Sequence, residues 1–210
     1  MKPSARAGLS RQKVLTTALE LTDRDGIEKL SMRRLGAELG VEAMTLYHYL
    51  PNKAALLDGL VELVVSAVRP DLDGAAAHWP KALRGFATAL RAELLRHPGV
   101  IPLVATRPAQ SPDALRVVEA TAAALGRAGI PPLEALRIIN SVSTFVIGHC
   151  LAEAATTPGH PEDTPAPDLS PYPVLTAALR AGLGTPADHQ ARFTLALDAL
   201  LLGLAAAHPG

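Results

Sequence analysis

The sequence predicts an all-α fold in two parts, an N-terminal three-helix unit containing a helix-turn-helix and a larger α-helical body after it. Three observations carry that reading. Apolar residues make up 49% of the 210 positions but aromatics only 3%, so the core is built from Ala, Leu and Val, which suit packed helices better than sheet. Apolar positions recur at three- and four-residue spacing, and no strand-like alternation survives anywhere. Ser, Gly and Pro fall where helices should start and stop.

Residues 1 to 9 form a polar arm with two basic side chains, read as a mobile terminus or as an arm that touches a duplex. Ser10 caps a helix from Arg11 to Arg24, with Val14, Ala18 and Leu21 beside Leu15, Leu19 and Thr22 on one face and Asp25-Gly26 as its stop. Ser31 caps the next helix, which carries Leu35 and Leu39 on one face and ends at Gly40. The chain turns through Val41 and Glu42 and restarts at Ala43. Gly36 leaves room for the second helix to come close. Leu46 and Leu50, at i and i+4, point back into the pair, so Met44, Thr45, Tyr47 and His48 face outward as a candidate reading head for DNA.

Pro51-Asn52-Lys53 starts a fourth helix, Lys53 to Val68, whose free N–H groups and Lys53 charge make an anion site suited to a phosphate. Its apolar face of Leu56, Leu60, Leu63, Val64 and Ala67 should reach a second core, which makes it a lever. A linker covers 69 to 77. Helices follow at Trp79 to Arg96, Ile101 to Ala105, Pro112 to Ala128, Leu133 to Thr156, Tyr172 to Gly182 and Ala187 to His208. Thr157 to Pro171, with five prolines and three acids, reads as a loop. The expected domains are 1–54, helix-turn-helix and DNA-binding, and 55–210, a larger helical body.

Two helices lack the polar half of a surface helix, so they are either central or cover one another in a partner subunit. The first carries Ile138, Ile139, Val142, Phe145, Val146, Ile147, Cys150 and Leu151, and the last carries Leu195, Leu197, Leu200, Leu201, Leu202 and Leu204. Small residues (Gly148, Ala152, Ala199, Gly203, Ala206) allow close approach. A symmetric interface through the helices near 133–156 and 187–208, two from each subunit, is the simplest arrangement.

Net charge is zero, but residues 1 to 54 hold nine Lys/Arg against six Asp/Glu, leaving a balance of −3 on the rest. A modestly basic head on an acidic body suits a protein that touches DNA with one end. No uninterrupted apolar run reaches the roughly 20 residues of a membrane span, and the N-terminus lacks an apolar signal core, so a cytoplasmic location without membrane contact is expected. The single cysteine, Cys150, forms no intrachain disulfide and reads as a buried thiol. Paired catalytic carboxylates, an activated nucleophile and a Gly-rich phosphate loop are all missing, so an enzyme is not expected, nor a cofactor.

The residues Ala18-Leu19-Glu20-Leu21, Gly26-Ile27, Leu30-Ser31-Met32-Arg33, Leu35 to Val41 and Thr45-Leu46-Tyr47-His48-Tyr49-Leu50-Pro51-Asn52-Lys53 stand in an order that resembles the TetR family of bacterial transcriptional regulators. The later part is similar to the tetracycline repressor: Trp79, Leu94 to His97, Thr106-Arg107-Pro108 and Phe145 to Gly148 recur in comparable order. The likeness is strong to Leu57 and looser beyond it. It implies a homodimer with heads in successive major grooves of a palindromic operator, and an inducer pocket in each body. By position it carries DNA contacts over to Arg33, Thr45, Tyr47, His48 and Lys53. Lys53, Tyr47 and Thr45 suit phosphates; Arg33 and His48 could reach base edges. Ala43 and Met44 depart from the family pattern and leave apolar contact with a thymine methyl.

The resemblance also implies where a ligand would sit, and there the chain departs further. Leu103 stands where the tetracycline repressor has a magnesium-binding histidine, and its acidic partner aligns with Ala152 or Glu153, so no tetracycline–magnesium site is expected. A small, mainly apolar inducer is expected instead, lined by Phe86, Leu90, Leu103, Arg107, Thr121, Leu136, Ile139 and Asn140, with Leu175 and Leu179 from the other subunit. Asn140 and Thr144 are either polar handles or satisfied core groups; Arg107 binds a ligand anion or caps the short helix. His149 and Glu153, at i and i+4, have metal-ligand spacing that His97 could in principle complete, but read as a hydrogen-bonded pair. An architectural DNA-binding protein without an inducer is the second reading.

Overall fold

Ser10 opens the first helix as the sequence requires: its Oγ accepts from the Lys13 N–H at 3.1 Å, and α1 runs Arg11–Asp25. In this computed structural model residues 9–72, 78–107, 110–154 and 168–208 are described, so the expected N-terminal arm, most of the linker and most of the Thr157 to Pro171 loop lie outside them. After a 3-10 turn at Ile27–Lys29, Ser31 Oγ accepts from the Arg34 N–H at 3.2 Å and α2 spans Met32–Leu39. Gly40 takes the left-handed conformation at φ 68°, and Val41 N–H returns to the Gly36 carbonyl at 2.9 Å, closing the helix end.

The second helix of the pair is shorter than its apolar spacing suggests. α3 is regular only over Ala43–Leu46; His48 and Tyr49 then donate to carbonyls three residues back, while Leu50 still reaches Leu46 at 3.0 Å. Pro51 is the physical reason for this tightening, because it disfavours helical backbone in the residue before it. Asn52 Oδ1 accepts from the Ala55 N–H at 2.8 Å and starts α4, Lys53–Ala67.

The body holds α5 (Trp79–Arg96), a 3-10 turn at Pro98–Val100, α6 (Ile101–Thr106), α7 (Pro112–Arg127), α8 (Pro132–Ala154), α9 (Pro173–Arg180) and α10 (Pro186–Ala207). Proline at a first turn costs nothing, since its missing N–H would have no helical partner, and all six of these α-helices begin that way. α8 packs on α5, α6, α7 and α10.

α4 touches α1 as well as α5, α6 and α7, and one cluster of buried side chains runs from Val14 and Leu15 through Leu56, Leu60 and Val64 to Leu83, Ile138 and Leu201. Each fully buried leucine contributes roughly 1.5–3 kcal/mol. The head therefore shares one core with the body, and α4 runs through both.

α8 and α10 are each long and apolar enough, by length and composition, to cross a membrane. Each also has a side packed in the core: Ile138, Ile139, Val142, Val146 and Cys150 on α8, and Phe193, Leu197 and Leu201 on α10. Their other sides are bare. Leu195 and Leu202 are 72% and 74% exposed, a Cβ added to Gly148 or Gly203 would meet open space, and no residue of α9 is buried.

Candidate functional site

The helix pair that forms the head is held by one close approach. A Cβ on Gly36 would lie 2.8 Å from the Val41 carbonyl oxygen and 3.1 Å from the Ala43 nitrogen, so α2 meets the entry of α3 backbone to backbone. Leu35, Leu46 and Leu50 fill the space beneath. What remains outside is the face expected from the sequence: Met44 is 70% exposed and Tyr47 41%, with His48, Arg33 and Lys53 exposed and Ala43 and Thr45 half-buried.

Lys53 is the first residue of α4, where the free N–H groups lie. Together these seven residues supply cations, hydroxyls and an apolar tip around one short helix. That is the chemistry for phosphate and base-edge contact.

Charge pairs brace this head away from its exposed face. The Arg24 guanidinium forks onto both Glu38 oxygens at 3.1 and 3.2 Å, tying α1 to α2, and Arg34 reaches Asp25 at 2.6 Å. Arg24 holds the Glu38 carboxyl below the ordinary carboxylate range and is itself pushed up.

The residues expected to line a ligand site divide into two groups. Phe86, Leu90, Thr121 and Ile139 are buried, and the Thr121 hydroxyl donates to its own helix at the Val117 carbonyl, 2.8 Å away. Leu136, Asn140, Thr144, Leu175 and Leu179 are exposed, and Leu103 is half-buried. Arg107 closes α6 as one of the sequence readings expected, its backbone N–H reaching the Leu103 carbonyl at 2.9 Å, while its side chain reaches Asp58 of α4 at 2.5 Å. A separate cleft of about 410 Å³ lies between head and body, walled by Ile27, Pro98, Ile101, Pro102 and Leu151.

His97 does not join His149 and Glu153. Its Nδ1 lies 2.8 Å from Asp23 of α1, because the turn after α5 is drawn against the head: a Cβ on Gly99 would sit 2.9 Å from Thr22 Cγ2. Glu153 instead receives Arg91 on both oxygens, at 2.7 to 3.1 Å. Sequence reasoning missed these ties; 74 positions separate Asp23 from His97 and 62 separate Arg91 from Glu153, and no local pattern links them. Burial pushes the Cys150 thiol up to about 12, so it stays protonated and inert.

An all-helical chain with a glycine-locked helix-turn-helix, an exposed polar face on its second helix and a helical body sharing its core is a DNA-binding regulator in design. Comparison with known proteins gives the family. Residues 14–60 match the family model for bacterial regulatory proteins of the tetR family, and residues 72–208 match the tetracyclin repressor-like C-terminal domain.

An HTH-type transcriptional regulator of Saccharopolyspora erythraea is 34% identical over 206 residues, spanning 94% of this chain and 85% of that protein. The class D tetracycline repressor protein of Escherichia coli is 33% identical over 199 residues, spanning 94% and 89%. Among solved structures, a possible TetR family regulator from Streptomyces coelicolor superposes with a TM-score of 0.77 at 33% identity, covering 95% of this chain and all of that one. The ActR protein of the same organism, solved with actinorhodin, gives 0.75 at 26% identity, covering 97% and 100%. BioQ bound to its double-stranded DNA operator gives 0.67 at 25%, covering 95% and 99%. The chain belongs to the TetR family of transcriptional regulators: it is a DNA-binding, ligand-binding regulator and not an enzyme.

Proposed function

We propose that this protein is a one-component repressor that binds a palindromic operator as a homodimer and is released by a small, mainly apolar inducer. The observation that carries it is the bare face of α3, with Met44, Tyr47 and His48 turned to solvent beside the capped start of α4. Tyr47, Thr45 and Lys53 take phosphates, Arg33 and His48 take base edges, and Ala43 and Met44 offer apolar contact. The exposed sides of α8 and α10 support pairing of two copies through a four-helix interface, which sets the heads one helical turn apart, about 34–36 Å. Cytoplasm is the compartment this role requires.

The inducer enters the body among Phe86, Leu90, Leu103, Arg107, Thr121, Leu136, Ile139, Asn140 and Thr144, with Leu175 and Leu179 supplied by the partner subunit. ActR with actinorhodin and the tetracycline repressor by its name support a ligand in the body; BioQ with its operator supports the head as DNA reader. Arg107 on Asp58 connects the body to α4, and His97 on Asp23 connects it to α1. A ligand that prefers one arrangement of these ties shifts the spacing of the heads, and it acts only through that preference. Retardation of DNA from the region upstream of its own gene tests the proposal; no retardation at low salt overturns it.

A further inference from the structure

We infer that His149, Glu153 and His189 form a binding site for a divalent transition metal that clamps the first turn of α10 onto the last turns of α8. A ring nitrogen of each histidine and a carboxylate oxygen of Glu153 all lie within 4.8 Å of one another. His149 Nε2 is already 3.6 Å from Glu153 Oε2. Bonds of about 2.0–2.1 Å in a tetrahedral site put donors about 3.4 Å apart, so donors that now lie within 4.8 Å of one another must close by roughly 1.4 Å at most. Two imidazoles and one carboxylate suit Zn²⁺, Co²⁺ or Ni²⁺ rather than Mg²⁺, and three protein donors leave a position for water.

The surroundings fit a site rather than a chance meeting of side chains. His149 and Glu153 are 11% and 15% exposed. Phe193 stacks on Phe145 at 5.6 Å and meets the His149 ring edge-on at 5.2 Å, which gives the cluster an apolar wall. Glu153 can turn Oε2 to a metal while Oε1 keeps its 2.7 Å bond from Arg91, the kind of outer contact that orients a ligating carboxylate.

Two cations oppose occupancy. Arg91 is the first, and Arg192 is the second: it lies 2.7 Å from His189 Nδ1 and must give way if that nitrogen binds, turning wholly to Asp188, with which it already pairs at 3.0 Å. His149 Nε2 now lies 3.2 Å from the His189 carbonyl and would exchange that contact for the metal. Glu153 is one of the two positions aligned with the acidic partner of the magnesium site in the resemblance, but neither histidine stands at Leu103, where that site would have its histidine.

The test is a Co²⁺ titration of untagged, chelator-dialysed full-length protein, read by visible absorption. One Co²⁺ per protomer, with the bands of a tetrahedral site and displacement by Zn²⁺, is expected. His189→Gln and His149→Gln should each weaken binding at least 10-fold, while His97→Gln, whose ring pairs with Asp23, should leave it unchanged. Zn²⁺ at about 100 times its dissociation constant should raise the wild-type melting temperature by about 5–10 °C. His189→Gln should melt like the metal-free wild type and show no such rise, which separates lost binding from lost folding. No saturable band, or equal titration of wild type and His189→Gln, overturns the inference.

Discussion

Replacing Gly36 by valine tests the backbone contact on which the reading head depends. The added Cβ would stand 2.8 Å from the Val41 carbonyl and 3.1 Å from the Ala43 nitrogen, and the two methyl groups beyond it have no side-chain tip to push aside, only backbone. Overpacking of this kind costs about 1–3 kcal/mol. The helix itself works the other way, since a residue with a side chain gains a few tenths of a kcal/mol over glycine inside a helix. The clash wins, leaving a net loss of about 2 kcal/mol, or about 4–8 °C in melting temperature for a chain of this size. Alanine at the same position puts the same Cβ 2.8 Å from backbone but adds no methyls beyond it and gains up to about 1 kcal/mol of helix propensity, so it should destabilise less than valine. Thermal melts of the three proteins, followed by operator binding below the melting range, make the comparison. Gly36→Val that melts with wild type and binds DNA as tightly would refute the claim that α2 and α3 are locked backbone to backbone.

Three further outcomes follow from the same geometry. Lys53→Ala should weaken binding to all DNA sequences alike and reduce the salt slope by about 1, whereas Arg33→Ala should relax the preference for one base pair, both read by anisotropy across a salt series. Leu202→Glu places a charge on a side chain that is 74% exposed in a single chain, so the melt of the monomer should hardly move while light scattering reports loss of the dimer and operator affinity collapses. Acid stability should respond to Glu38: its folded carboxyl lies below the ordinary value of 4.5, so its contribution is full above that pH and is lost as pH falls through the depressed value. Glu38→Gln should therefore lower stability at neutral pH, by an amount that vanishes in strong acid and shrinks in high salt because the pair is exposed.

Much of this molecule was legible from local chemistry. Ser10, Ser31 and Asn52 cap helices because a short oxygen-bearing side chain can reach an N–H in the first turn, and that reach depends on three or four consecutive residues. Gly40 ends α2 for an equally local reason. The helix limits in the body follow from prolines. The exposed face of α3 came from two leucines at i and i+4, although Pro51 shortened the helix itself. Long-range pairings left no such trace: Arg91 on Glu153, His97 on Asp23 and Arg107 on Asp58 each need the tertiary arrangement of helices. His189 entered beside His149 for that reason, in the place the sequence had offered to His97. The residues expected to line a ligand site are least legible, since several of them, such as Leu175 and Asn140, lie on the surface of the single chain, and no local pattern says what meets them there.

Hydroxyl-radical footprinting of the purified protein on DNA from upstream of its own gene, with the bound complex weighed by light scattering, tests the central claim most directly. Two symmetric protected patches centred about 10 base pairs apart, produced by a homodimer, are expected. A single protected patch, or protection by a monomer, would contradict it.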